Sequence, residues 1–494
     1  MPMLIKLFSI FLALLFFKAG ATLPALKKSL SGLAEDIAAE SSFKYGQWSV
    51  YVLDASSGEV LLDLNGEKTL APASNLKLLT SAAALEFLGE EKRFQTSLGY
   101  QGTISREGRL EGDLIIRGEG DPTLGSEEMP GVLTLDSLLD ELVSKVKEQG
   151  IKRISGNLIA DDSYLDYMPL PGEWYWTDIG NYYAACTSGL CINENLYHLY
   201  FKPAGRMGDT ARVLRTEPEV PGLKFINHMK TGPAGSGDNG FIYSAPWQYD
   251  HQLEGTIPAG VNEFSIKGSL PDPAKFAAQL LARRLEESGI PVSGHALTVR
   301  ETGPLSGRET FFYTISSPPL SEIVYRLNKK SINLYADQLL KILGREISGE
   351  GSFEAGTKLI SGWLEEKGIY SEGVYLYDGS GLSRADAVPT RLFAEFLAYV
   401  SKQPYFGTFY RSLGIAGDSD DISYMKNMGR GTRAEKNVRA KTGSITRVRA
   451  HAGYVYTRSQ KLLCFSMIAN NYNGTRRVVD RLHEKMMVAL ANLP

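Results

Sequence analysis

The segment Ala71-Pro72-Ala73-Ser74-Asn75-Leu76-Lys77-Leu78-Leu79-Thr80-Ser81-Ala82-Ala83-Ala84-Leu85 decides how the rest of the chain is read. Pro72 closes an extended stretch, Ser74 is a favourable N-cap, and the Leu- and Ala-rich run behind it predicts a helix that begins at Ser74. On such a helix Ser74 and Lys77 lie three residues apart on one face, close enough for an amine to take a hydroxyl proton. The spacing alone is a weak signal, because it recurs at Ser41/Lys44, Ser144/Lys147 and Ser423/Lys426. Ser74 differs in its surroundings. Leu76, Leu78 and Leu79 flank Lys77, and an amine in apolar company is more readily neutral and so available as a base.

Before this segment, a helical pattern at 26–37 is followed by a hairpin, 48–54 and 59–64, turning at Ser56-Ser57-Gly58. Two strands are too few for a sheet that could carry a catalytic helix, and the missing ones are found at the other end of the chain. The stretches 438–444, 451–456 and 462–469 read as consecutive antiparallel strands and precede an amphipathic helix at 476–490. The implied fold class is α+β, with a long interruption rich in short strands and glycine turns. Strands are expected at 112–117, 154–160, 195–200, 211–215 and 263–266, and helices at 135–149 and 273–288. The expected borders are 22–95 and 304–494 for the catalytic part, 96–194 and 269–303 for one inserted region, and 195–268 for a second. In the C-terminal part, helices at 320–329 and 333–343 meet at Lys330-Ser331-Ile332-Asn333, so Ser331 and Asn333 belong to a tight interhelical turn. Helices at 355–367 and 390–401 flank the turn-rich Asp378-Gly-Ser-Gly-Leu-Ser383.

With 494 residues, 43% hydrophobic and 22% charged, the chain is an ordinary globular protein with room for two to four domains. A net charge of −3 and the lack of any Lys/Arg-rich run exclude nucleic acid as a partner. Met1 to Lys6, an apolar run at 7–17 and Ala19-Gly20-Ala21 read as a secretory signal peptide over 1–21, so export to a periplasm or cell envelope is expected. Lys18 is atypical of a cleavage region and leaves open an uncleaved leader, which would give peripheral membrane association. In an exported chain Cys186 and Cys191 could close a small disulfide loop, whereas Cys464 suits a buried strand position. The six histidines lack ligand spacing, so neither a metal nor another cofactor is expected.

Ser74-x-x-Lys77, Ser331-x-Asn333 and Lys441-Thr442-Gly443 thus follow one another on a helix start, an interhelical turn and a strand. The triple resembles the S-x-x-K, S-D-N and K-T-G set of class A β-lactamases and penicillin-binding proteins. Ser155-Gly-Asn157 and Lys230-Thr-Gly232 imitate two of the motifs, but Pro233 has no N–H to offer on a substrate-binding edge. More closely, the chain resembles the D-alanyl-D-alanine carboxypeptidase/endopeptidase family of penicillin-binding proteins, peptidase family S13, of the penicillin-binding protein 4 type. The hallmark of that family is a long insertion between the first two motifs. Segments 118–124, 161–165, 174–178, 193–195 and 378–383 share the likeness; Leu165, where the family has Phe, and 417–423 depart from it.

The resemblance implies a transpeptidase-like fold, an antiparallel sheet flanked by helices, with an inserted β-rich region. It implies Ser74 as nucleophile, Lys77 as base, Ser331 as proton relay and Asn333 as the group that orients the peptide amide. Lys441 and Thr442 would hold the terminal carboxylate, and the strand through Gly443 would bring the Ser444 N–H to an oxyanion hole shared with Ser74. For Asp161, in a D-x-S-x-F-like element, it implies a grip on the side-chain ammonium of a diaminopimelate-type residue, beside the alternative of capping a turn. The implied substrates are peptidoglycan stem peptides, cleaved by carboxypeptidase or endopeptidase action, with β-lactams as covalent inhibitors and no cofactor. A β-lactamase or esterase using the same residues, and a non-catalytic wall-binding scaffold, are the other readings.

Overall fold

The computed structural model describes residues 22–494; the signal-peptide expectation for 1–21 lies outside them. Contacts divide the chain into two compact units. Of the described residues, the first comprises 22–86, Val324–Ser331 and Lys358–Pro494. Its centre is a six-stranded sheet in the order Gly414–Ile415, Arg439–Ile445, Val448–Tyr456, Leu462–Asn470, Gln47–Asp54, Val60–Leu64. Every neighbouring pair is antiparallel, and Gln47–Asp54 pairs along its length with Leu462–Asn470, so the N-terminal hairpin and the C-terminal strands complete one sheet.

Helices cover both faces, which is why Val448–Tyr456 and Leu462–Asn470 are buried at nearly every position instead of alternating. On one face Leu30, Ala34 and Ile37 of helix Leu23–Ala38, with Val479, Met486 and Leu490 of helix Arg476–Ala491, pack against Trp48, Val50, Val52, Phe465 and Met467. On the other, helix Thr390–Val400 is tied down by Tyr454 Oη donating to the Leu397 carbonyl at 2.8 Å and by the Ser49 and Thr390 hydroxyls, 2.6 Å apart. Gly414–Ile415 pairs only with Arg439 and Ala440, and among the described residues no strand pairs with the outer edge from Lys441 onward.

The second unit comprises Phe87–Ile323 and Ile332–Thr357. Its largest sheet runs Ala296–Thr298, Leu158–Asp161, Arg109–Gly118, Gln95–Ile104, Thr310–Ser316, and helices Leu135–Glu148 and Pro273–Glu287 bury Leu142, Val146 and Leu281 in the same core. A three-stranded sheet follows the order Phe264–Ser269, Leu196–Lys202, Arg212–Glu217. A four-stranded one gathers Lys224–Asn227, Lys230–Gly232 and Asn239–Tyr243 around Asp250–Pro258. Sequence reading finds none of these last four strands. Three of them have five residues or fewer, and the longer Asp250–Pro258 breaks its alternation at Gly255, so neither periodicity nor hydrophobic run-length marks them.

The anticipated disulfide does not form. Cys186 and Cys191 are both free thiols, pushed up to about 12 by burial. Each has its own polar company: Ser269 Oγ approaches Cys186 Sγ at 3.9 Å, while Cys191 Sγ receives Asn195 Nδ2 at 3.2 Å and donates to the Ser188 carbonyl at 3.5 Å.

Candidate active site

Ser74 lies one turn ahead of the α-helix, not at its cap. Residues Ala73–Leu76 form a 3₁₀ turn, the α-helix is Lys77–Leu88, and no side-chain capping bond is made. Pro72 is already in the helical region, and Ala73, with φ 46°, takes the left-handed conformation just before the serine. The Ser74 hydroxyl faces Lys77 instead, whose Nζ lies 2.9 Å from Ser74 Oγ. Lys77 is fully buried, and its Nζ also donates to the Ser380 carbonyl at 2.7 Å.

The Ser380 carbonyl is held there by Asp378. One Asp378 oxygen accepts the N–H groups of Ser380 (3.0 Å) and Gly381 (2.6 Å), and the other accepts that of Ser383 (2.7 Å). The turn then lies directly on the nucleophile loop: Gly381 has φ 77°, and a Cβ there would meet the Ala73 carbonyl oxygen at 1.9 Å. Only glycine fits. The turn is visible in the sequence, but its target is some 300 residues away in the chain and is not.

Lys441 is buried in the strand Arg439–Ile445 and donates to Ser331 Oγ at 2.8 Å and to the Thr442 carbonyl at 2.7 Å. Burial first, then the charges of Lys77 and Arg449, hold its amine well below the usual lysine value. Ser331 sits between helices Leu320–Lys330 and Asn333–Leu343 with φ 60°, the left-handed turn that lets one helix end and the next begin. One residue position before that helix ends, Lys329 is ion-paired with Asp421 in a fully buried contact, so the departing stretch 417–423 anchors the approach to Ser331.

Gly443 faces the 3₁₀ turn. A Cβ on it would lie 2.7 Å from the Pro72 carbonyl oxygen and 3.1 Å from the Ser74 nitrogen, so any side chain would push the strand off the nucleophile. Behind the strand, Arg449 donates from Nη1 to the Gly443 carbonyl (3.2 Å) and from Nε to Asp480 of the C-terminal helix (2.5 Å). Sequence reading misses both members of this buried pair, because nothing local distinguishes them from surface charges. Thr442 is half-buried and Ser444 exposed on the same strand.

The first unit thus brings together Ser74, Lys77, Ser331, Lys441 and Thr442-Gly443-Ser444. Asn333 opens the first helix of the second unit's C-terminal stretch, two positions along the chain from Ser331, and its Nδ2 donates to the Tyr183 carbonyl at 2.7 Å. Asp161, only 3% exposed, ends a strand in the second unit. One of its oxygens takes Arg117 Nε at 2.6 Å; the other caps the following turn through Ser163 Oγ (2.6 Å) and N–H (3.1 Å). The turn-capping expectation describes what is seen. Among the described residues no group of His, Cys, Asp and Glu is arranged to hold a metal ion.

Comparison with known proteins identifies the family. The model of the D-Ala-D-Ala carboxypeptidase 3 (S13) family matches residues 30–493. A D-alanyl-D-alanine carboxypeptidase of Actinomadura sp. (strain R39) is 31% identical over 464 residues, which cover 92% of this chain and 83% of that protein. The D-alanyl-D-alanine carboxypeptidase DacB of Haemophilus influenzae is 27% identical over 426 residues, 85% of this chain and 84% of its own length. Among solved structures, penicillin binding protein 4 (dacB) from Haemophilus influenzae superposes with a TM-score of 0.79 at 23% identity, covering 93% of this chain and 99% of that one. The fold is that of the penicillin-binding protein, the family model spans nearly the whole described chain, and the chain belongs to the D-Ala-D-Ala carboxypeptidase 3 (S13) family, whose carboxypeptidase reaction it carries out.

Proposed function

We propose that this chain is exported to the cell envelope and removes the terminal D-alanine from peptidoglycan stem peptides through an acyl-enzyme on Ser74. The observation that carries the assignment is Lys77 Nζ, buried and poised 2.9 Å from Ser74 Oγ. A neutral amine has one lone pair. With the Ser380 carbonyl accepting one of its N–H groups, the lone pair can turn to Ser74 and take the hydroxyl proton as Oγ attacks the carbonyl between the two D-alanines. The developing oxyanion is received by the backbone N–H groups of Ser74 and Ser444, which the Gly443 contact holds close to each other. Ser331, hydrogen-bonded to Lys441, relays a proton to the departing amine, so that the proton Lys77 took from Ser74 leaves with the amine, and Lys441 with Thr442 draws in the terminal carboxylate.

The open edge beyond Ala440 suits an extended peptide, which can add to it as a further strand. Asn333, following the family motif, orients the peptide amide. Water then releases the shortened peptide, and a β-lactam, which presents the same carboxylate and a strained amide, acylates Ser74 and departs slowly. A diamino side chain could reach Asp161 only by displacing Arg117, so slower cleavage by Asp161→Asn of peptides bearing the free side-chain amine, and not of an acetylated one, is what that role requires. The deciding experiment is mass-spectrometric mapping of protein acylated by labelled penicillin. The label is expected on the peptide containing Ser74; a label elsewhere, or none, overturns the assignment.

A further inference from the structure

The Gly443 carbonyl and the Ser444 N–H belong to one peptide unit, so whatever fixes the first aims the second. The bond between them is trans, and in a planar trans peptide the C=O and N–H point in opposite directions. The Gly443 oxygen is held by Arg449 Nη1 at 3.2 Å, from the neighbouring strand Val448–Tyr456, where Arg449 stands opposite Ser444. The Ser444 N–H is thereby turned away from Arg449, while Gly443 keeps this peptide against the backbone of Ser74. Tilting the peptide plane would take the carbonyl from its guanidinium partner and swing the N–H off its line.

Arg449 is itself held from several sides. It is 2% exposed, and among the described residues its hydrogen bonds go to the Gly443 carbonyl and to Asp480 Oδ1, at 2.5 Å, while Nη2 makes none. Its guanidinium lies over the Tyr424 ring, 4.8 Å from the centre, and Tyr424 Oη donates to the other Asp480 oxygen at 2.9 Å, so one phenol braces both members of the ion pair. Two histidines add a second brace. Trp48 Nε1 can only donate, and it does so to His483 Nε2 at 2.9 Å, which leaves the proton of a neutral His483 on Nδ1. That nitrogen lies 2.8 Å from His451 Nδ1, so His451 carries its own proton on Nε2, 3.9 Å from Asp480 Oδ1. Burial keeps both rings neutral near pH 7, with His483 held down at about 3 and His451 well below its ordinary value. A chain of donors thus runs from Trp48 towards the carboxylate that fixes Arg449.

We propose that Arg449 is a positioning residue for the oxyanion hole, holding the Gly443–Ser444 peptide in the orientation that presents the Ser444 N–H to the acyl oxygen. This rests on the oxyanion hole assigned above. An ion pair that merely supported the sheet would affect binding and reaction alike, whereas an N–H that receives an oxyanion counts for more in the transition state than in the bound substrate.

The test uses the full chain and three variants: Arg449→Gln, Arg449→Lys, and the double variant Arg449→Gln/Asp480→Asn, which leaves no buried carboxylate without its cation and serves if the single glutamine variant does not fold. A penicillin isotope-labelled at its lactam carbonyl gives the saturating acylation rate, separated from the dissociation constant of the complex that precedes it. It also gives the infrared band of the ester carbonyl in the acyl-enzyme, whose frequency falls as hydrogen bonds to its oxygen strengthen. The glutamine variants are expected to acylate about ten- to a hundredfold more slowly, with the dissociation constant within about threefold of the parent's and the ester band moved towards that of an ester without donors. Arg449→Lys keeps one N–H donor on the strand and is expected to recover part of the rate and to show an intermediate band. An acylation rate within about twofold of the parent's, or an ester band that does not move whatever the rate, overturns the positioning role and leaves the Ser74 assignment standing. Failure of the parent to form the ester on Ser74 overturns that assignment, and this inference with it.

Discussion

The chain contains the tripeptide Lys-Thr-Gly twice, and the two copies differ in everything except their letters. Both are strand residues. At 230–232 the lysine is exposed and donates to Thr210 Oγ1 at 2.8 Å, Thr231 receives the Ala204 N–H, and Pro233 ends the ladder. At 441–443 the lysine is buried, faces Ser331, and lies where Lys77 and Arg449 act on it; the glycine touches the backbone of Ser74. The lesson is that a motif is chemistry only where the fold desolvates it and supplies its partners.

The largest effect should come from removing the group that the second copy serves. Ser74→Ala is expected to lower D-Ala release and penicillin labelling by roughly 10⁴-fold or more, with the melting temperature little changed, because the hydroxyl reacts and does not pack. Gel fluorescence of labelled penicillin measures this directly. Lys77→Arg should be nearly as inactive, since a guanidinium does not give up its proton.

Next, the copies can be set against each other. Lys441→Ala should reduce acylation by about 10² to 10³-fold, the usual cost of losing one preorganised electrostatic partner. Lys230→Ala should leave the rate within twofold. Equal losses would erase the contrast.

A smaller effect is expected at Asp378, which touches no reacting atom. Asp378→Ala frees the Ser380 carbonyl and should lower the saturating acylation rate ten- to a hundredfold, the range for misplacing a catalytic group by about an ångström, while the affinity for non-covalently bound substrate changes little. Asp378→Asn keeps one acceptor oxygen and should recover part of the loss. A loss confined to affinity would give the turn a role in binding alone.

The smallest effect concerns acid. His251 lies on Asp250–Pro258, the strand beside the first copy, and burial holds it down at about 4 against an ordinary 6.5. The unfolded chain therefore binds the extra proton between those values, and stability falls as the pH drops from about 6.5 towards 4. His451, opposite Thr442 in the second copy, is also held low by burial, so both copies share this weakness. His251→Gln should flatten part of the fall in melting temperature between pH 7 and pH 5, by a few degrees.

Local signals made much of this molecule readable in sequence. The Ser74/Lys77 spacing, the Ser331 turn and the three C-terminal strands each depend on residues within a few positions of each other. What could not be read is what the chain assembles from afar: the Ser380 carbonyl on Lys77, the Arg449–Asp480 pair behind Gly443, and the buried Lys329–Asp421 contact. The α-helix start lies a turn later than the sequence suggests, where Ala73 has φ 46° and the distant Gly381 turn lies against its carbonyl. The Cys186–Cys191 proximity misled because short sequence separation says nothing about where each sulfur finds its hydrogen-bond partner.

The pairing of Gln47–Asp54 with Leu462–Asn470 carries one more consequence, for timing. The sheet that supports the nucleophile joins residues about 400 positions apart, so its closure waits for nearly the last strand to be made, whereas most of the inserted unit can collapse on contacts nearer in sequence. An enzyme that cuts wall peptides is thereby silent as a nascent chain: until its C-terminal strands arrive, Lys441 and Gly443 have no sheet to hold them against Ser74, and there is no hydrolase to restrain.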